Sequence, residues 1–89
     1  MRTTNQECRE YVQECKSFKA NNLEGMRGEK AYVVVSYGWY ILFVYDFATG
    51  IWYENIDRYS VSTSRQKSQA HPLADTVKLT WDEIQKIKT

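Results

Sequence analysis

Eighty-nine residues suffice for one domain and no more. A formal charge of +1 gives the whole chain no bulk attraction to nucleic acid or to an anionic membrane. No apolar run reaches the roughly 20 residues of a membrane helix, and the opening MRTTNQECRE has no apolar stretch of the secretory kind, so a cytosolic location is expected.

In chain order, the spacing first predicts a helix from Thr4 to about Asn21. Thr4-x-x-Glu7 fits a capping box, and Cys8, Tyr11, Val12, Cys15 and Phe18 make one apolar stripe at helical period. Cys8 and Cys15 would then stand about 10 Å apart along the axis, beyond the reach of an intrachain disulfide. They read as small buried residues. A metal centre lacks further ligands, because His71 is the only histidine and no CxxC occurs. No cofactor is expected. Asn21, Asn22, Gly25 and Gly28 should break the helix and form a polar loop.

The segment from Ala31 to Tyr59 alternates like sheet and is dense in Val, Ile, Tyr, Phe and Trp. Strands are expected over Ala31–Tyr37, Trp39–Phe47 and Ile51–Asn55. Trp39, Ile41, Phe43 and Tyr45 alternate with Tyr40, Leu42, Val44 and Asp46. Both faces of that second strand are apolar, so it should be central. Asp46 to Gly50 carries the strongest turn signal. Trp52 and Tyr53 should face opposite ways, and Glu54 reads as solvated. Tyr59 and Val61 alternate with Ser60 and Ser62 as a short fourth strand.

From Arg58 to Ala74 there is no carboxylate, only Arg58, Arg65, Lys67 and His71 among serines and a threonine. Ser62, Thr63 or Ser64 is placed to cap a short helix to about Ala70, which Pro72 would stop. Asp75–Leu79 should return as a short strand. Trp81–Lys88 closes the chain as a helix with a second capping box, Thr80-x-x-Glu83, a Leu79–Ile84 staple, and a stripe of Trp81, Ile84 and Ile87. The expected fold is a single α+β domain over residues 1–89: an N-terminal helix, an antiparallel β-meander of three to five strands and a short C-terminal helix.

The residues favour binding over catalysis. There is no phosphate loop, GxSxG or HExxH. Either cysteine paired with His71 would lack an activating setting. The serine-rich run offers an anion site in Ser62, Thr63, Ser64, Arg65 and Lys67, suited to a phosphate or a nucleic-acid backbone. The commoner use of such residues is a helix cap and a solvated turn. The aromatic residues, 15% of the chain, exceed what so small a core needs. Tyr40, Trp52 and Tyr59, with Arg58, Arg65 and Lys67, therefore become the candidate contact surface for a partner protein, or a stacking platform for single-stranded bases. The competing reading keeps the rings at the edge of the core with their polar ends wet.

From Tyr37 to His71 the pattern resembles a family of small uncharacterised phage and mobile-element proteins. The resemblance lies in a strand ending Ser36-Tyr37, an apolar strand ending Tyr45-Asp46, a short turn, an aromatic strand ending in Asn55, and the motif Tyr59-Ser60-Val61-Ser62-Thr63-Ser64-Arg65. Ser62 stands where the family usually has Thr, and Gln66 where it commonly has His. The match spans under half of the chain. It implies a context rather than an activity: a non-enzymatic inhibitor, anti-CRISPR-like, that binds a host defence protein such as a CRISPR nuclease in the host cytosol. A nucleic-acid or nucleotide module using residues 60–71 is the alternative, and a homodimer is compatible with either.

Overall fold

The computed structural model describes residues 4, 7–57, 67, 70–72 and 74–87. Among these, the elements run α1 (Cys8–Gln13), β1 (Phe18–Ala20), β2 (Leu23–Arg27), β3 (Ala31–Ser36), β4 (Tyr40–Asp46), β5 (Ile51–Asn55), β6 (Thr76–Leu79) and α2 (Trp81–Gln85). The six strands form one sheet in sequential order. The first four pairings are antiparallel and β5 pairs with β6 in parallel.

The α+β class and the meander over residues 31–55 are as expected. The sheet is larger than expected and mixed rather than antiparallel. Parallel neighbours need a crossover of a dozen residues or more, and residues 56–75 supply one. The fourth strand expected at Tyr59–Ser62 and the cap at Ser62–Ser64 lie outside the described residues.

The N-terminal helix is only six residues long. Thr4 and Glu7 still meet, since the Glu7 amide donates to the Thr4 Oγ1 at 3.2 Å, but they form the turn that leads into α1. The helix ends in a Schellman motif. Cys15 stands at φ 54, its amide donates to Val12 O at 3.0 Å, and the Lys16 amide donates to Tyr11 O at 2.8 Å. The next carbonyls are taken by the sheet: Arg27 Nη1 donates to Cys15 O at 2.9 Å and the Tyr32 hydroxyl to Lys16 O at 2.8 Å. A left-handed cysteine gives no sequence signal for a helix stop, because glycine is the usual residue there. Phe18 nonetheless joins Cys8, Val12 and Cys15 in one buried cluster, on a strand instead of a helix.

The predicted polar loop is a β1–β2 hairpin, turning at Asn21-Asn22 with Asn22 at φ 56. Gly25 lies inside β2, opposite Phe18 and Val34. A Cβ there would run into the Phe18 ring and the Tyr32 hydroxyl, so the strand crosses under these rings only as glycine.

A bulge sets the two faces of the sheet. Val34 pairs with Phe43 and Val35 with Ile41, which leaves Leu42 as the extra residue. The simple alternation through β4 therefore fails at Leu42. Tyr40, Leu42 and Phe43 enter the first core cluster, with Tyr32, Val34, Trp52 and the α1 residues. Ile41 and Val44 enter the second, with Ala31, Val35 and Ile84 of α2. β4 is thus covered on both sides, and Trp52 and Tyr53 do face opposite clusters.

The β4–β5 turn closes as its residues require: Gly50 at φ 70, its amide on Asp46 O at 2.8 Å, and the Ala48 amide on Asp46 Oδ1 at 2.9 Å. In α2, Thr80 and Glu83 complete the capping box. That helix stops at Gln85, three residues short of the expectation. No described helix is long and apolar enough to cross a membrane.

Candidate functional site

Among the described residues, two places gather side chains suited to chemistry or binding: a polar cluster beside β5 and β6, and the aromatic end of the sheet.

The polar cluster centres on Glu54, which is 8% exposed. Strand alternation puts it on the same face as Trp52, pointing inward, so its reading as a solvated position is corrected. The Thr76 hydroxyl donates to Glu54 Oε1 at 2.8 Å. Lys67 Nζ lies 3.2 Å from Oε2 and His71 Nε2 lies 3.5 Å from Oε1. Burial alone pushes the Glu54 carboxyl up. The hydrogen bonds from Thr76 and Lys67 and the charges of Lys67 and His71 outweigh it, holding the carboxyl below its ordinary value. Lys67 also donates to Asn55 O at 2.9 Å, and the His71 ring stands edge-on to Phe43 with centroids 5.4 Å apart. Arg9 Nε holds His71 O at 2.9 Å and Gln13 Nε2 holds Pro72 O at 3.1 Å. The cluster thus ties the crossover to both β5 and α1.

Asn55 satisfies the ladder where the bulge ends it. Its Nδ2 donates to Ile41 O at 2.8 Å and its Oδ1 accepts the Asp57 amide at 2.9 Å.

Burial disfavours the thiolate at both cysteines. Burial pushes Cys8 up to about 11, against the lowering effects of a backbone hydrogen bond and Arg9. Burial also raises Cys15, against Arg27. Among the described residues no three His, Cys, Asp or Glu side chains converge on a metal position.

The aromatic end gathers the β3–β4 turn and the start of α2. Tyr37 and Gly38 are both left-handed, at φ 56 and 80, as the tight turn from Ser36 to Trp39 demands. Trp39 is 50% exposed and Tyr37 38%. The Trp39 ring meets Tyr40 at 5.4 Å and Trp81 at 5.9 Å, both at 80°. Tyr40 and Trp81 stack at 4.5 Å and 21°. Beside Trp39 a groove of about 260 Å³ is lined mainly by Met26, Val33, Val35 and Ile41, with Arg27 also at its wall.

The residues expected to form the contact surface are placed as follows. Tyr40 and Trp52 are 5% and 8% exposed, so these two rings are core and not surface. The bulge turns Tyr40 inward, and Trp52 packs edge-on to Tyr32 at 6.2 Å and to Phe43 at 6.4 Å. Lys67 is engaged by Glu54 and Asn55, which disfavours a phosphate there. Arg58, Tyr59, Ser62, Thr63, Ser64 and Arg65 lie outside the described residues. Tyr37 and Trp39 belong to the aromatic surplus expected from the sequence but were not among the residues chosen as contacts, although flanking a turn glycine was the available signal.

Among the described residues, the fold is α+β, with a buried cluster on each face of the sheet and Tyr37 and Trp39 exposed at one end. No family model matches the chain, and neither does any curated protein or solved structure.

Proposed function

We propose that the protein is a non-enzymatic binding module that docks on another protein through the aromatic end of its sheet. The observation that supports this most is Trp39: a half-exposed indole, held edge-on by Tyr40 and Trp81, at the mouth of an apolar groove. Trp and Tyr dominate interface hot spots, and a ring already fixed in place loses little entropy on binding. The raised thiols and the fully engaged Glu54 favour binding over catalysis.

The resemblance to phage and mobile-element proteins makes a host defence protein, such as a CRISPR nuclease, the partner class to test first. The test is capture of purified defence nucleases on the immobilised chain, side by side with Trp39→Ala. A stoichiometric complex that Trp39→Ala abolishes supports the proposal. Capture that is equal for the two proteins, or no capture across bacterial lysates, removes it.

A further inference from the structure

We infer that Met26 is an oxidation site: hydrogen peroxide converts its thioether to the sulfoxide, which makes the groove beside Trp39 polar and weakens docking there. This rests on the protein-binding reading and adds a regulation of the same site. Met26 is 41% exposed and pairs with Val33 across β2 and β3. It lines the groove together with Val33, Val35, Trp39 and Ile41. The chain has one other methionine, Met1, which lies outside the described residues. The competing sulfurs are the two cysteines. Both are buried, and burial raises both thiols, so little thiolate stands ready for a peroxide at neutral pH. A thioether has no proton to lose, so access to solvent decides its reactivity.

In the step, a sulfur lone pair attacks one peroxide oxygen. The S–O bond forms, the O–O bond breaks, and water leaves after proton transfer. Sulfur gives up two electrons and the peroxide takes them. The product carries a strong acceptor oxygen in an apolar wall. Val33, Val35 and Ile41 offer that oxygen no donor. The Arg27 guanidinium is already engaged, with Nη1 on Cys15 O at 2.9 Å and its carbon 4.7 Å from the centre of the Phe47 ring. An apolar group docking in the groove would therefore strip water from the sulfoxide at a cost in affinity.

The experiment treats the full chain with hydrogen peroxide at pH 7, locates the sulfoxide by peptide mapping and follows the Trp39 indole N–H by NMR. Sulfoxide should form at Met26 within about threefold of the rate for free methionine, with Cys8 and Cys15 reduced when half of Met26 is converted. The Trp39 resonance should shift as Met26 converts and return on treatment with methionine sulfoxide reductases. Met26→Leu should abolish that response. Trp39-dependent capture of a partner should fall about tenfold on oxidation, and Met26→Gln should reproduce the fall. Cysteines oxidised before Met26, a Met26 protected from peroxide, or a Trp39 resonance that ignores its conversion would overturn the inference. If Trp39→Ala abolishes capture but oxidation leaves it intact, this inference fails and the protein-binding reading stands. If Met26 and Trp39 respond as stated and no partner is captured, the protein-binding reading fails and the oxidation site stands.

Discussion

Gly25 shows how one missing side chain decides local structure. The Phe18 ring and the Tyr32 hydroxyl occupy the space a Cβ would need. Both belong to the buried core, so neither has room to yield. Gly25→Ala should lower stability by about 1–3 kcal/mol, the usual cost of overpacking, read as a lower urea midpoint with unchanged slope. Glu54 is the second decisive residue. Its carboxyl is held low in the fold, so its contribution is complete above the unfolded value near 4.5 and is lost as pH falls through the lower folded value. Urea midpoints should therefore drop on acidification below about 4.5, and Glu54→Gln should flatten that drop. Glu54→Ala leaves Lys67 without its carboxylate and should cost roughly 3–5 kcal/mol at neutral pH.

At the scale of elements, what was legible followed from residues with one strong conformational preference. Asp46 and Gly50 gave the turn, the β-branched and aromatic runs gave β3, β4 and β5, and Thr80 with Glu83 gave the start of α2. The failures have physical causes too. Cys15 adopts a glycine-like conformation because Arg27 and Tyr32 hold the carbonyls around it, and no local pattern encodes partners 12 and 16 residues away. The stripe of Cys8, Val12, Cys15 and Phe18 correctly named core residues while assigning too much helix, since a short helix, a left-handed turn and a strand can present the same face. The bulge at Leu42 was hidden because both faces of β4 are apolar, so hydrophobicity gave no sign of a change in register. Deleting Leu42 would move Tyr40 and Ile41 to the wrong faces and should cost far more than Leu42→Ala. Circular dichroism and urea titration would show the deletion unfolded and Leu42→Ala folded, about 2–5 kcal/mol less stable. In α2, Thr80→Ala removes the cap and should cost about 1 kcal/mol, visible as altered Trp81 fluorescence before global unfolding.

For the whole molecule, the sheet absorbs more rings than composition suggested. Tyr32, Tyr40, Phe43 and Trp52 are buried, because α1 and Ala70 pack on one face while α2 covers part of the other. Among the described residues, the exposed rings are Tyr37 and Trp39, with Trp39 against Trp81. Counting aromatics could tell that some would be exposed; it could not tell which, because burial of Tyr40 and Trp52 depends on the bulge and on strand pairing. The tryptophans thus divide by placement: Trp52 lies in the core, and Trp39 stands half-exposed where docking is proposed.

The most direct measurement compares Trp39→Ala with Trp52→Ala in one urea titration and one partner-capture assay. Trp52→Ala should lose about 3–5 kcal/mol, while Trp39→Ala should stay folded within about 1 kcal/mol of the parent and lose the partner. A Trp39→Ala protein that captures the partner as well as the parent chain, or that unfolds like Trp52→Ala, would contradict the division.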